Sequence, residues 1–213
     1  MIETMDQGTS VAVNVISGQR GPVEHVRRQQ ILQAANEHFR LYGYKKTTLA
    51  DIAKSIHLST PYLYKFFNSK QAIGEAICST CLNATLAEIE EMIAATPSPV
   101  ERLRRIFIGI GKNGWRLLNE QRKMHDIVAA SFEERWSSLD RFNEGVFLIV
   151  RRIVVQGRES GDFERKTPLE ETCRAIARTT QLFFHPVLLE QAGEIRDEDV
   201  LAVANMVVRS LTA

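Results

Sequence analysis

Residues 47–70 read TTLADIAKSIHLSTPYLYKFFNSK, and the spacing of their apolar side chains decides the fold. Leu49, Ile52, Ala53 and Ile56 recur at three- and four-residue intervals, one face of a short helix, with Thr47 or Thr48 placed to cap its start. Leu63, Phe66 and Phe67 make a second such face. It is opened by Ser59 or Thr60, with Pro61 in the first turn, where a missing N–H costs nothing. Only His57-Leu58 lies between the two, and so short a gap predicts a tight helix-turn-helix. Upstream, Ile31, Ala35, Phe39 and Tyr42 form the stripe of a longer helix from about Glu24, ended by Gly43 as a C-cap glycine. Three helices around one small core are the expectation for residues 23–70.

The same stretch concentrates positive charge. Between Val23 and Lys70 stand eight basic residues (Arg27, Arg28, Arg40, Lys45, Lys46, Lys54, Lys65, Lys70) against three acids (Glu24, Glu37, Asp51). The whole chain nets only +1, so the remainder is acidic by four charges. A basic module on an acidic chain is the pattern of a dedicated anion binder. In a helix-turn-helix the second helix offers its first residues to base edges, and the preceding helix faces the backbone. Ser59, Thr60, Pro61 and Tyr62 occupy that N-terminus, where a Thr hydroxyl reads polar edges and its methyl the thymine methyl. Thr48, Tyr64, Lys65 and Lys70 suit phosphates, as do free N–H groups at helix starts, Arg27 and Arg28 are placed for the flanking backbone, and Thr47 is a further candidate DNA contact.

A Thr-capped helix, a tight turn, and then the run Tyr64-Lys65-Phe66-Phe67-Asn68-Ser69-Lys70 together resemble the DNA-binding domain of the TetR/AcrR family of bacterial repressors. The resemblance covers about residues 26–73, and it departs where the family commonly has Gly and this chain has His57. It implies a repressor that binds a palindromic operator as a homodimer and is released by a small-molecule effector. Tyr64 would then contact phosphate. The fourth to seventh helices would surround the effector cavity, and helices 168–188 and 198–212 would pair with those of a second subunit. Trp115, Arg116, His125, Phe132, Trp136, Phe184 and His185 are the candidate effector contacts, aromatics with a few polar anchors.

Outward from this module the pattern stays helical, so the expected class is all-α. A flexible arm is expected at 1–22, where Gly8, Gly18, Gly21 and Pro22 are scattered, and a helical ligand-binding and dimerisation domain at 71–213. Asn68 with Gln71 reads as the cap of a long helix reaching about Ala95, and Ser98-Pro99-Val100-Glu101 and Thr167-Pro168-Leu169-Glu170 mark two further starts. Leu139, Phe142, Val146, Ile149 and Ile153 stripe another helix, ended between Gly157 and Gly161. The last two carry Leu169–Cys173–Ile176–Thr180–Phe183–Val187 and Val200–Ala204–Val207–Leu211.

Two other constellations compete. Gly109-Ile110-Gly111-Lys112-Asn113-Gly114 matches GxGxxG after Ile106-Phe107-Ile108, with Glu133 and Glu134 near ribose-contact distance, the basis for an NAD(P)-binding oxidoreductase. Against it, the Ser98 cap launches a helix into the supposed strand and no strand–helix alternation follows, so the glycines instead bend a helix or make room. Cys78, Cys81 and Cys173, with His125 or His185, offer a redox- or metal-sensing alternative, but each cysteine falls on an apolar stripe and reads as a small core residue. No catalytic group, metal site or cofactor is expected. An odd cysteine count, no secretory signal pattern and no apolar run near roughly 18 residues point to a cytoplasmic protein.

Overall fold

The computed structural model describes residues 21–119, 122–193 and 196–212, and every regular element among them is helical. The expected arm at 1–22 lies outside the described residues up to position 20, while Pro22 opens the first helix. This helix, α1 (Pro22–Tyr42), closes where Gly43, at φ +88°, donates its N–H to the Phe39 carbonyl.

α2 (Leu49–Ser55) starts with a reciprocal cap: Thr48 Oγ1 accepts from the Asp51 N–H at 3.2 Å, and the Asp51 carboxylate accepts from the Thr48 N–H at 3.0 Å. Hydrogen bonds from Thr48 hold the Asp51 carboxyl below the usual carboxylate range. The turn to α3 (Thr60–Leu63) passes through His57 at φ +54°, the left-handed region that the family's glycine suits and histidine tolerates. Leu58 N–H then bonds back to the Ala53 carbonyl at 2.9 Å. Ser59 caps α3 by accepting from the Tyr62 N–H, and tight turns continue the helical path to Phe67. Ile31, Ala35, Phe39, Ile52, Ala53, Leu63 and Phe67 bury together as the small core.

α4 (Lys70–Ala94) is capped by Ser69, one residue later than expected from Asn68. The extended backbone of Ser69 aims its hydroxyl at the Ala72 N–H, 3.0 Å away. Then follow α5 (Pro99–Asn119), α6 (Arg122–Glu133) and α7 (Ser137–Ser160), the last ended by Gly161 at φ +86°. α8 (Leu169–Thr179) begins one residue later than its sequence cap suggested: Pro168 is the N-cap and Thr167 points its N–H at Glu164. The expected continuous helix 168–188 is broken. A 3₁₀ turn (Thr180–Phe183) follows α8, and α9 (Pro186–Ala192) starts afresh, because Pro186 has no N–H to continue the ladder and disfavours helical backbone at His185. Val187, the end of the expected apolar stripe, is therefore exposed. α10 (Asp197–Leu211) follows, with three acids in its first turn.

α5 is the spine: α4, α7, α10 and the 3₁₀ turn all pack on it. The GxGxxG motif lies wholly inside α5, and its glycines serve these approaches. A Cβ on Gly109 would meet Met92 and Ile89 of α4, one on Gly111 would meet Val200 of α10, and one on Gly114 would sit 2.1 Å from the Phe183 carbonyl oxygen. No phosphate-binding turn exists there. Cys78 and Cys173 are buried as the apolar stripes implied, and burial pushes both thiols up to about 11.

Candidate nucleic-acid interface and ligand site

The start of α3 projects from the small core. Ser59 and Pro61 are exposed and Thr60 and Tyr62 half-buried, and among the described residues α3 packs chiefly on α2. Tyr62 packs edge-on against Phe66 at 5.4 Å between ring centroids, and the Lys65 ammonium lies 5.3 Å from the Tyr62 ring. Val23, Glu24, Arg27, Tyr62, Lys65 and Phe66 line a shallow groove between α1 and α3. Thr48 stands exposed at the α2 start, and Tyr64 keeps 51% of its surface in solvent. The groove thus brings one aromatic hydroxyl, that of Tyr62, together with the cations Arg27 and Lys65 at the start of α3.

Three of the expected backbone contacts are placed differently. Thr47 is buried, and its hydroxyl donates to the Gly43 carbonyl at 2.9 Å, so its side chain ties the loop to the end of α1 instead of reaching outward. The Lys70 ammonium donates to the Tyr44 carbonyl at 3.0 Å and the Lys45 carbonyl at 3.4 Å, and it lies 4.6 Å from the Tyr44 ring centroid. It is committed to the module's own backbone. Arg28 stacks its guanidinium over Phe67 at 4.5 Å.

The seven candidate effector contacts separate into three places. Phe132 of α6, together with Phe184 and His185 ahead of α9, forms a ring cluster that Phe142 of α7 joins. Centroid separations are 4.3 Å for Phe132–His185, 4.8 Å for Phe142–Phe184 and 6.3 Å for Phe132–Phe184. His125, two turns before Phe132 on α6, points Nδ1 at the Glu190 carboxylate of α9, 3.7 Å away. Its Nε2 is buried with no protein partner among the described residues, as is Nδ1 of His185. A buried polar atom left without a partner costs about 1–3 kcal/mol, so these nitrogens mark where a guest's polar group would be rewarded. Gly114 sets the cluster's position, because only a bare α carbon lets the Phe183 backbone come so close to α5.

Trp115 and Arg116 instead line an outer cleft of about 680 Å³ with Lys112, Arg196 and Val200. Its wall is held by the buried Asn113, whose amide donates to Glu88 at 3.1 Å and to the Gly109 carbonyl at 3.0 Å. Arg116 pairs with Glu88 at 3.3 Å. Trp136 is in neither group. It packs edge-on against Tyr44, at the junction between the small module and the helical body. Sequence reasoning missed Tyr44, Gly74, Phe142 and Glu190: Phe142 carried a stripe signal, whereas the other three owe their roles to partners far along the chain.

Residues 31–77 match the family model described as bacterial regulatory proteins, tetR family, and residues 99–205 match the tetracyclin repressor-like C-terminal domain. The HTH-type transcriptional repressor KstR2 of Mycolicibacterium smegmatis is 25% identical over 183 residues, 79% of this chain and 85% of the relative. Two solved structures share the fold. The fatty acid degradation regulator FadR from Bacillus halodurans aligns with a TM-score of 0.62 at 17% identity, over 92% of this chain and 97% of that one. FadR from Bacillus subtilis, solved in complex with stearoyl-CoA, aligns at 0.59 and 20% identity, over 87% and 97%.

Proposed function

This chain belongs to the tetR family of bacterial regulatory proteins, and from that premise we propose how its own residues carry out regulation. It is a DNA-binding transcriptional regulator, and the observation that carries the reading at residue level is the exposed start of α3, whose Tyr62 shares a groove with Arg27 and Lys65. In this reading Ser59, Thr60, Pro61 and Tyr62 approach base edges in the major groove. Thr48, Tyr64, Lys65 and Arg27 hold phosphates that flank them. The chain acts as a repressor on a palindromic operator in the cytoplasm, by binding and not by catalysis.

Two copies are needed, because a two-fold dimer reads half-sites about 34–36 Å apart, or a multiple of that, where a single small module lacks affinity. The outward faces of the α8–3₁₀ segment, with Ala175 and Leu182, and of α10, with Ala202 and Met206, are exposed apolar surface suited to a second copy.

The effector enters at the Phe132–Phe142–Phe184 cluster, its apolar body against the rings and a polar group at His125 Nε2 or His185 Nδ1. The stearoyl-CoA held by the Bacillus subtilis neighbour makes long-chain acyl-CoA the first probe. Binding would favour a conformer whose two reading helices no longer match the half-site spacing, with a coupling of about 1–3 kcal/mol. Selection of DNA from a random pool, then titration of the selected duplex with stearoyl-CoA and a shorter acyl-CoA, tests both halves. Selection of no common palindrome would refute operator recognition; selected DNA that stays bound at saturating acyl-CoA would refute that effector class.

A further inference from the structure

Besides the packing of α1 on α4 and α6, the small module and the helical body meet at a corner built around an indole. Trp136 lies between α6 and α7, only 1% exposed, with its ring edge-on to Tyr44 at 5.5 Å and 73°. Tyr44 in turn meets Phe39 of α1 edge-on at 5.3 Å, so a chain of three rings runs from the core of the DNA-reading module into the effector half. Gly74 of α4 makes the space: a Cβ there would lie 2.7 Å from both the Trp136 and Tyr44 rings. Both rings are therefore seated against bare backbone, with no side chain to yield.

The corner is anchored on both sides. Trp136 donates its ring N–H to Glu134 at 2.8 Å and its backbone N–H to the Ser131 carbonyl at 3.0 Å. Arg135 adopts φ +53°, a left-handed backbone that a non-glycine residue adopts at a cost and that turns the chain between α6 and the indole. On the module's side, Lys70 holds the Tyr44 carbonyl, and Lys45 pairs with Glu133 at 3.3 Å. Burial, with Glu134 nearby, pushes the Tyr44 hydroxyl up to about 12, so the ring stays neutral.

We propose that Trp136 is a positioning residue for DNA reading: wedged between Tyr44 and Gly74, it sets the angle at which the helix-turn-helix is held on the helical body. Two modules of a dimer read two half-sites only if that angle is fixed, whereas non-specific attraction to phosphates needs charge alone. Trp136 therefore governs the ratio of specific to non-specific affinity without touching DNA. The inference rests on the DNA-reading function proposed above.

The test uses the full-length chain, the duplex it selects from a random pool, and a random duplex of equal length. Circular dichroism and sedimentation report fold and dimer. Folded, dimeric Trp136→Ala is expected to lose about tenfold or more on the selected duplex and less than about twofold on the random one. Its own selection should return palindromes with scattered half-site spacing. Trp136→Phe, which keeps a ring against Tyr44, should lower the ratio only about threefold. A folded Trp136→Ala with wild-type affinity for the selected duplex, or an equal loss on both duplexes, overturns the proposal. Should Trp136→Ala fail to fold, an unchanged ratio in Trp136→Phe overturns it. Failure of the wild-type chain to select any DNA would instead remove the function on which it rests.

Discussion

Lys70 and Lys65 sit five residues apart on the same basic module, and substituting each should produce opposite signatures. The Lys70 ammonium is bound to two carbonyls, Tyr44 at 3.0 Å and Lys45 at 3.4 Å, above the Tyr44 ring. Hydrogen bonds to a charged group contribute about 1.5–3 kcal/mol, and an exposed cation–π contact about 0.5–1. With part of the group in solvent, Lys70→Met, which keeps the aliphatic stem, should cost about 2 kcal/mol. For a domain of this size that lowers the melting temperature by roughly 4–8 °C. Lys65 makes no ion pair among the described residues and stands exposed. Lys65→Ala gives up only the contact with the Tyr62 ring and should lower melting by about 1–4 °C, but reduce the salt dependence of DNA affinity by about 0.9 per subunit, close to two per dimer. Calorimetry and fluorescence anisotropy over a salt series measure both. If Lys70→Met melted like wild type and lost as much salt slope as Lys65→Ala, the assignment of Lys70 to the module's own backbone would be wrong.

Gly114→Ala places a Cβ 2.1 Å from the Phe183 carbonyl oxygen. Overpacking against backbone should outweigh the roughly 1 kcal/mol gained in helix propensity and leave a net loss of about 2 kcal/mol in urea unfolding; a stabilised variant would show that the turn yields freely. His57→Gly relieves the left-handed backbone at φ +54° and should raise stability by about 0.5 kcal/mol without altering DNA affinity, a result that thermal melts and anisotropy would contradict if either moved the other way. Burial raises the folded-state thiols of Cys78 and Cys173 to about 11, from an ordinary value of 9.0. Their contribution is complete below pH 9 and is lost as pH rises from 9 towards 11, by up to about 1.4 kcal/mol per pH unit for each group. A Cys78→Ala/Cys173→Ala double variant should show a shallower alkaline decline in stability; an identical decline would place its origin elsewhere.

The helix-turn-helix was legible because its signals are local. Caps such as Thr48 and Ser59, the three- and four-residue stripes, and the two-residue gap at His57-Leu58 act within one or two turns of chain. Where local signals competed, the reading slipped by a residue: Ser69 took the cap from Asn68, and Pro168 took it from Thr167. The break at Pro186 was missed because the apolar stripe runs through it, although a proline inside a stripe is itself a local signal to stop.

The DNA-reading module and the all-helical class follow from the chain's local patterns, since backbone hydrogen bonding and helical periodicity are decided over a few residues. The packed fold settles which of those side chains are tied to the module's own backbone. Thr47 and Lys70 look like DNA contacts in the sequence and are consumed by Gly43, Tyr44 and Lys45 in the fold. It also divided seven effector candidates into a ring cluster, an outer cleft and the Trp136 corner, and it turned GxGxxG from a nucleotide motif into three packing notches on α5. The physical reason is the same each time. A side chain's chemistry is written in its own residue, but what it spends that chemistry on depends on atoms dozens of positions away, as Gly74 and Trp136 or Gly111 and Val200 are, and close packing, unlike periodicity, has no local signature.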